Sequence, residues 1–363
     1  MTEPYQINRP LRILHAPSNV ANIAWAMAVG LRGRGHHVEV WNHGPSPNNF
    51  PLDRVFELGK DPAAYVKCLL EALEADFDIF HFHGTRSLIP ARGSLPMMWD
   101  LPLLHALGKR IVFTFHGSDI RLRSHHAAAD RWSFYNFADI PCDEERIAKR
   151  MNYLSQYAHQ LTVCCVHDLP YAPGARYIPK PIDVAVYPYV EVRRDRPVVL
   201  HATRRRETKG SDLIDAAIDR VRRTGLSFEY RVVENVSYQE LLTALADADI
   251  LVEKVLNGDA GVISLEAMAM GKIAIARIRP EVRNMHPDMP VVNADPESFE
   301  DVLVDLIQNW QDHRKLGVRG REYVERNHAP DVIAVQLEAL YTPSVRHAKT
   351  AREVLRERPH SSQ

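Results

Sequence analysis

Short apolar runs alternate with amphipathic helical stretches along most of this chain, and this alternation constrains its fold more than any other feature. Arg12 to His15 is predicted to be a strand, a helix follows from about Ile23 to Arg34, and His37 to Trp41 forms the next strand. A strand, a helix and a second strand in this order place the two strands in parallel, with a right-handed crossover. The alternation recurs as far as Leu340, so we predict an α/β protein with parallel sheets.

Prolines, tyrosines and charges interrupt the alternation near the middle of the chain. We place a linker at 184–197, between two Rossmann-like domains at 1–183 and 198–328. A helix at 329–345, whose return to the first domain is left open, precedes a charged tail at 346–363. The 363 residues suffice for two such domains. Ligands bind beyond the carboxyl ends of the strands in such sheets, so we expect the site in a cleft between two facing domains.

Charge and composition exclude several classes of protein. Lys and Arg number 45 and Asp and Glu 46, a balance that argues against a general nucleic-acid binder. No apolar run approaches the roughly 18–20 residues that span a bilayer, and the first residues lack a signal-peptide pattern. The four scattered cysteines are expected to be buried thiols. We therefore expect a cytoplasmic protein without a transmembrane segment, and a homodimer is left open.

A short helix with a single acid stands in the second half. Between Gly261 and Lys272 the only acid is Glu266, and its neighbours are nearly all apolar or small. Such a helix is expected to be mostly buried, where an unpaired carboxylate is costly. Glu266 should therefore have a specific partner, either a protein group or a polar ligand such as a sugar hydroxyl.

Basic residues follow the predicted strand Val198–Ala202. Arg204, Arg206 and Lys209 lie around the start of the next helix, where unpaired backbone N–H groups and the helix dipole favour an anion. A basic surface run is the alternative. We predict that at least one of these arginines, together with Lys209, binds a diphosphate and neutralises a leaving group.

Histidines mark the ends of two strands in the first half. His116 to Asp119 follow the strand Arg110–Phe115, where His116 would contact a sugar hydroxyl and Asp119 would orient it or cap the next helix. A structural turn is the alternative. His81 and His83 lie on one face of a strand, and together with His116 they suggest a metal site. A third ligand with suitable spacing is not evident, so we predict no metal.

The loop after the first strand holds Ser18, Asn19 and Asn22. These side chains suit either capping of the following helix or contact with an acceptor or diphosphate, and both alternatives stay open. We count the three residues, together with His83, as candidates for substrate binding.

Taken in order, six segments resemble retaining glycosyltransferases of the GT-B fold, in the large family-four group. The segments are Gly33–Val38, Asp78–His83, Phe115–Asp119, Tyr177–Asp183, His201–Asp212 and Gly261–Lys272. The resemblance implies a hexosyl- or N-acetylhexosaminyltransferase with a UDP- or GDP-linked sugar donor, held mainly by the second domain. It also implies no cofactor, no metal and retention of the anomeric configuration.

The resemblance assigns roles to individual residues. Arg206 and Lys209 would contact the diphosphate, Glu266 the ribose, and His116 would lie beside the transferred sugar. The family commonly carries Glu-x7-Glu, but Gly258 stands at the first acid, followed by Asp259. Either Asp259 takes that role, or the backbone amides of Ala260 and Gly261 hold the sugar, with Val262 beside them.

A segment between Arg121 and Glu145 is rich in histidine, arginine, aspartate and aromatic residues. In this fold the first domain usually binds the acceptor, so Asp130 would help to bind a polar acceptor such as an aminocyclitol or another secondary metabolite. A solvated excursion is the alternative.

Two other functions are compatible with this fold. A nucleotide-sugar epimerase would process the donor without an acceptor. A non-catalytic nucleotide-sugar-binding subunit would bind nucleotide without turnover, which the missing first glutamate would favour.

Overall fold

The computed structural model of the chain describes residues 9–46, 48–59, 61–90, 96–191 and 194–341, and the predicted tail at 346–363 lies outside them. The strands are β1 Arg12–Ala16, β2 His37–His43, β3 Arg54–Phe56, β4 Ile79–His83, β5 Arg110–Phe115, β6 Gln160–Val163, β7 Arg176–Tyr177, β8 Val198–Thr203, β9 Glu229–Glu234, β10 Ile250–Lys254, β11 Ile273–Ala276 and β12 Val292–Asn293. The helices are α1 Ile23–Gly33, α2 Pro62–Glu74, α3 Asp100–Ala106, α4 Arg123–Ala129, α5 Glu144–Leu154, α6 Arg206–Lys209, α7 Ser211–Arg223, α8 Tyr238–Ala246, α9 Val262–Ala269, α10 Pro280–Met285, α11 Phe299–Gln308, α12 Trp310–His313, α13 Lys315–His328 and α14 Pro330–Tyr341. None of the helices within these described ranges is both long and apolar enough to cross a bilayer.

The first compact unit comprises Met1–Ile120, Glu145–Pro181 and Pro330–Gln363. Its seven strands are parallel and lie in the order β3-β2-β1-β4-β5-β6-β7. Residues of β4 and β5 are buried throughout, as expected for central strands of a parallel sheet that is covered on both faces. The predicted α/β class with a parallel sheet is confirmed for this unit.

The last helix belongs to this first unit. Helix α14 packs on α1, and Glu338 binds Arg34 at 2.7 Å and His36 at 2.8 Å. The close approach depends on Gly30, because a Cβ there would overlap the backbone carbonyl of Pro330. Gly30 therefore has a packing function at this end of α1.

The second compact unit comprises Arg121–Glu144 and Ile182–Ala329. Its five strands are parallel and lie in the order β12-β11-β10-β8-β9. In the middle of this sheet, Ile250 of β10 pairs with Val199 on one side and Ile273 on the other. This unit also has the predicted Rossmann-like organisation.

The boundaries of the units differ from the predicted ones in two places. The 121–144 segment, predicted in the first domain, packs in the second unit through Phe134, Tyr135 and Ile140, which surround Leu256. The second unit also begins at Ile182, so that most of the predicted linker is part of it. Both differences arise from tertiary contacts that the strand–helix pattern does not record.

Candidate active site

The end of β8 and the start of α7 are held by a buried histidine. Nδ1 of His201 donates to the carbonyl of Val252 at 2.8 Å, so Nε2 accepts from the Ser211 hydroxyl at 2.7 Å. Between them, Gly210 has a φ of 74°, and a Cβ there would lie 2.9 Å from the Val255 side chain. These contacts position the basic turn that contains Lys209.

Arg206 is held by three carboxylates of its own unit. Its guanidinium binds Asp212 at 2.8 Å, Asp215 at 2.5 Å and also Glu234. The hydrogen bond to Asp215, followed by those to the other two acids, raises the pKa of Arg206 above its usual value. These acids take four of the five N–H groups of Arg206, which leaves one N–H on Nη1 for the predicted diphosphate contact, and Arg204 directly after β8 has an exposed side chain.

Glu253 of β10 binds two lysines and the start of α9. Its Oε1 accepts from Lys209 at 2.7 Å and lies 2.9 Å from the ammonium of Lys254. Its Oε2 accepts from the backbone N–H of Gly261 at 2.7 Å and from the Ser264 hydroxyl at 2.5 Å. Burial disfavours the carboxylate, but the two lysines outweigh this and hold the pKa of Glu253 well below its usual range.

The start of α9 is consequently already occupied by an anion. The N–H of Gly261, which one of our two alternatives assigned to the donor sugar, donates to Glu253. Asp259 and Ala260 are both buried, and Val262 is partly exposed in the first turn of α9. Lys209 keeps two further ammonium N–H bonds beyond the one given to Glu253.

Glu266 has protein partners on one of its oxygens. Its Oε1 accepts from the hydroxyls of Tyr187 at 2.9 Å and Tyr238 at 2.7 Å. Burial raises the pKa of Glu266 to about 7, although the two tyrosine hydrogen bonds act in the opposite direction. The expectation that Glu266 has a specific partner is confirmed, and the partner within the chain is a pair of tyrosines.

Asp130 lies in the second unit and not in the first domain, where we expected it. Its carboxylate is buried and forms two bonds with Arg277 of the same unit, at 2.6 and 2.7 Å. Arg277 also donates to the carbonyl of Asn257, and the N–H of Asn257 donates to the carbonyl of Trp132 at 3.1 Å. Asp130 therefore ties the 121–144 segment to the loop that precedes α9.

In the first unit, His116 stands at the end of β5 and begins a tight turn. Its backbone N–H donates to Asp119 at 3.0 Å, so Asp119 shapes the turn and does not orient the imidazole ring by this bond. Nε2 of His116 lies 3.3 Å from Nδ1 of His83, and the ring is partly buried. Burial, followed by the charges of Lys180 and Arg86, lowers the pKa of His116 to about 4.

His81 and His83 are completely buried beneath this turn, together with His15 of β1. His83 lies between His15, at 2.9 Å, and His116, at 3.3 Å. Because it is completely buried, it is not positioned to contact a substrate itself. The ligand nitrogens of His15, His81 and His83 lie within 4.8 Å of one another, a spacing compatible with a metal ion. However, both ring nitrogens of His81 are already bonded, to Tyr341 at 2.7 Å and to Thr114 at 2.5 Å.

The loop after β1 is organised by its own amides. Asn19 is buried and accepts from the N–H of Trp25 in the first turn of α1, at 3.2 Å. It also donates to Asn22 at 3.1 Å, while the Ser18 hydroxyl points to the carbonyl of His83 at 3.5 Å. Of the two alternatives for this loop, the structure shows the helix-start contact.

Comparisons with known proteins identify the fold of the chain and a family model that matches part of it. Residues 20–140 match the family model described as Glycosyltransferase Family 4. HepE from Anabaena, solved with UDP and glucose, superposes with a TM-score of 0.57 at 13% identity, over 91% of this chain and 98% of that one. The catalytic domain of starch synthase IV from Arabidopsis thaliana, bound to ADP and acarbose, gives 0.63 at 14% identity, over 93% and 99%. The chain has the GT-B fold, and the match to the family-four model covers residues 20–140.

Other comparisons limit what this GT-B assignment says about activity. A Listeria monocytogenes protein assigned as a UDP-N-acetylglucosamine 2-epimerase also superposes, with a TM-score of 0.54 at 12% identity, over 91% of this chain and 95% of that one. No curated protein matches the chain significantly. The GT-B fold is therefore shared with a protein assigned as an epimerase, and the fold alone does not define the reaction.

The GT-B resemblance leaves one departure, at Gly258, and the structure gives it a steric cause. A Cβ at Gly258 would overlap the side chain of Arg279. Arg279 is fixed in place by its N–H bond to the carbonyl of Gly258 at 2.9 Å and by an ion pair with Glu281 at 2.8 Å. Arg279 thus occupies the space that an acidic side chain at 258 would need.

The sequence analysis missed several residues of this site. Glu253 is the only acid in the apolar strand β10, directly before Lys254, and this isolated buried charge was a signal that could have been used. Tyr187 lay in the predicted linker and Tyr238 on an ordinary amphipathic helix, so neither had a distinctive spacing. His15 is a single histidine in β1, and only the pairing of β1 with β4 brings it to His83.

Proposed function

We propose that this protein transfers a sugar from a nucleotide-sugar donor to a small polar acceptor. The observation that carries the proposal is Glu266, a carboxylate buried in α9 and held by Tyr187 and Tyr238 through one oxygen. A buried acid with a pKa of about 7 is poised to accept hydrogen bonds from a diol, which stabilise its charged form. In the proposed complex, that diol is the ribose of the nucleotide.

The diphosphate of the donor is proposed to lie beside Lys209. Lys209 is pre-oriented by Glu253 and retains donors for phosphate oxygens. Arg204, exposed directly after β8, is proposed to join it, since three acids already bind Arg206. Fixed cationic donors at this position stabilise the negative charge that develops on the departing nucleotide.

The transfer itself is proposed to retain the anomeric configuration. The acceptor would attack from the face that the nucleotide leaves, and a phosphate oxygen of the leaving group would take the acceptor proton. In this scheme the C1–O bond to the diphosphate breaks as the new C1–O bond to the acceptor forms. Basic side chains supply the charge compensation, so we propose that no metal is needed, and UDP or GDP is the proposed carrier.

The acceptor class is proposed on less specific grounds. Asp130 is buried in its ion pair with Arg277, so this acid does not favour an amine-bearing acceptor. His116 remains the candidate of the first unit for contact with the transferred sugar. The proposal is therefore limited to a small polar molecule with a nucleophilic hydroxyl.

The direct test is a thermal-shift screen of UDP, GDP, ADP and TDP and their common sugars. We expect at least one nucleotide to raise the melting temperature of the wild type, and Glu266→Ala to lose that shift. Glu322→Ala, at an exposed glutamate on α13 of the same unit, is the matched control and should keep it. If no nucleotide stabilises the wild type, the proposed donor site is wrong.

A second candidate function is a nucleotide-sugar-binding subunit that does not turn over. Gly258 favours it, because Arg279 fills the space of the acid that faces the donor sugar in the resembling family. Incubation of the stabilising nucleotide sugar with a panel of hydroxylated acceptors distinguishes the two functions. Release of nucleoside diphosphate only with acceptor indicates transfer, binding without release indicates the subunit, and conversion of the donor sugar without acceptor indicates an epimerase.

A further inference from the structure

Two lysines share one carboxylate oxygen in the second unit. Nζ of Lys209 lies 2.7 Å from Oε1 of Glu253, and Nζ of Lys254 lies 2.9 Å from the same oxygen. The other oxygen of Glu253 accepts from the N–H of Gly261 at 2.7 Å and from the hydroxyl of Ser264 at 2.5 Å. Each carboxylate oxygen thus has two partners, which fills the capacity of the group.

An irregularity in the sheet allows Lys254 to reach this oxygen. Side chains of consecutive strand residues ordinarily point to opposite faces of a sheet. At Glu253, however, the register of β10 on β11 shifts by one residue, as in a β-bulge. Bulges redirect side chains and are over-represented next to active sites. Glu253 and Lys254 therefore meet, although they are neighbours in the strand.

The three side chains contain one positive charge more than they compensate among themselves. Burial opposes the charge of Glu253, but the two lysines hold its pKa well below the usual range, so it is ionised. Among the described residues, no other acid forms an ion pair with Lys209 or Lys254. Two ammonium groups face one carboxylate, and an uncompensated charge in a buried cluster is costly. The cluster therefore favours a second anion.

Lys209 is the member of the cluster that a ligand can contact. Its side chain is 24% exposed, whereas the side chain of Lys254 is 8% exposed and that of Glu253 is completely buried. The backbone holds Lys209 in this place, because its carbonyl accepts from the N–H of Val255 at 3.0 Å. An anion that binds here meets Lys209, with Glu253 and Lys254 behind it.

The acids that bind Arg206 do not supply the missing negative charge. All three are directed to that guanidinium. Burial lowers the pKa of Lys209, and the charges that act on it are Glu253, which raises the pKa, and Lys254, which lowers it. Without Lys254, Lys209 and Glu253 would form a closed neutral pair, with little charge left for a ligand.

We propose that Lys254 is a positioning residue of the donor site, which takes up part of the negative charge of Glu253 and so leaves Lys209 with an uncompensated positive charge for the diphosphate. The diphosphate as ligand rests on the proposed function, whereas the sharing of Glu253 by two lysines does not. Lys254 acts through Glu253 and Lys209 and does not touch the ligand. Glu253 and Lys254 lie outside the six segments that carry the family resemblance, so this pair is a feature of the chain itself.

The first test compares the binding of UDP and uridine, and of GDP and guanosine, to the intact protein. Titration calorimetry suits the diphosphates and NMR titration the more weakly bound nucleosides. Lys254→Met keeps the apolar stem of the side chain and removes its charge. For the nucleotide that binds, diphosphate affinity should fall about tenfold, as for the loss of one nearby charge in a partly buried site, and nucleoside affinity should stay unchanged.

Lys254→Arg retains the charge and should restore most of the diphosphate affinity. An unchanged diphosphate affinity in Lys254→Met would overturn the proposal. An equal loss for the nucleoside would also overturn it, because a charge effect acts on the phosphates alone.

Lys272→Met is the matched control. Lys272 is also buried in the second unit, and its ammonium donates to the carbonyl of Ala246 at 2.8 Å. Its replacement should leave the diphosphate affinity at the wild-type level. A loss as large as that in Lys254→Met would show that removal of any buried lysine from this unit weakens binding, and the specific role of Lys254 would be refuted.

The second test needs no nucleotide and measures the charge relationship directly. The carbon NMR signal of Cε of Lys209, assigned with Lys209→Arg, reports the ionisation of its ammonium as pH rises. In Lys254→Met the pKa of Lys209 should increase, because a repelling charge is gone and Glu253 serves Lys209 alone. If Lys254 only supported the fold, its loss would loosen the contact with Glu253, and the pKa of Lys209 would fall.

An unchanged or lowered pKa of Lys209 in Lys254→Met would therefore overturn the proposal even if nucleotide affinity had fallen. If neither UDP nor GDP binds to the wild type, the proposed function fails, and the pKa of Lys209 alone decides whether Lys254 shares the charge of Glu253.

Discussion

The carboxylate of Glu253 lies 2.7 Å from the ammonium of Lys209 and at the same time accepts the first N–H of the turn that starts α9. One buried acid thus joins the basic turn after β8 to the helix that carries Glu266. The relationship orders both parts of the proposed donor site before any ligand arrives.

Removal of this acid should destabilise the second unit strongly. Glu253→Ala leaves two lysines and the Gly261 N–H without their acceptor, and the loss of one partner of a buried pair costs about 3–5 kcal/mol. Calorimetric melting should show a lowered transition. Glu281→Ala, which removes an exposed partner of Arg279, is the control and should change stability by less than about 1 kcal/mol. An equal effect of both variants would contradict the central role of Glu253.

The elevated pKa of Glu266 should make stability depend on pH. The native state holds this proton up to pH of about 7, while the unfolded state releases it near 4.5. Between these values the native state binds more protons, so stability should fall as pH rises, by about 3 kcal/mol in total. The difference in stability between wild type and Glu266→Gln, measured from pH 4.5 to 7.5, should show this slope. A constant difference across the range would refute the raised pKa.

Nucleotide binding should release a proton from the same group. Ribose hydroxyls donate hydrogen bonds to the ionised carboxylate, so the bound state favours loss of the Glu266 proton. Affinity should increase with pH up to about 7 and then level off. Titration calorimetry in two buffers of different ionisation enthalpy measures the protons released. Proton uptake on binding would be the opposite of the expected result.

Asp130 should affect the second unit and not acceptor recognition. Asp130→Asn breaks a buried charge pair with Arg277 and should cost about 3 kcal/mol, with weaker nucleotide binding because the loop before α9 loosens. Asp139→Asn is the control, because the side chain of Asp139 is 91% exposed and its pair with Arg123 contributes little. A change confined to acceptor KM in Asp130→Asn would restore the acceptor role that the sequence suggested.

Gly30 offers a test of the packing of α14. Gly30→Ala places a methyl group against the carbonyl of Pro330 and should cost about 1–3 kcal/mol. Gly33→Ala, at the end of the same helix, meets no atom within 4 Å and should be neutral or slightly stabilising. Thermal unfolding of the two variants decides between a packing role and a merely local turn.

Much of the element pattern was predictable because it depends on local periodicity. Strand β5 was predicted with its observed bounds, and α1 was predicted within one residue of its end. The strands β3 and β12 were missed because two or three residues at a sheet edge carry too little periodicity to detect. Helix α10, six residues long, was missed for the same reason.

The candidate site was predictable only in part. The end of β8, the α9 acid and the turn after β5 were recognised because each follows a strand or opens a helix, positions that sequence order alone reveals. The partners of these groups were not recognised. Arg206 looked available for phosphate, yet Asp212 and Asp215 of α7 and Glu234 of β9 all bind its guanidinium.

The sequence by itself determined two parallel α/β units and the places where charged side chains follow their strands, because hydrophobic periodicity and chain order are local properties. The tertiary structure alone decided which charges meet. In the structure, Asp130 lies in the second unit and Glu253 binds Lys209. His15, His83 and His116 are hydrogen-bonded in a row. The reason is physical, because a buried charge or N–H needs a partner, and that partner often lies on another element. The spacing of residues along the sequence does not show which elements come together.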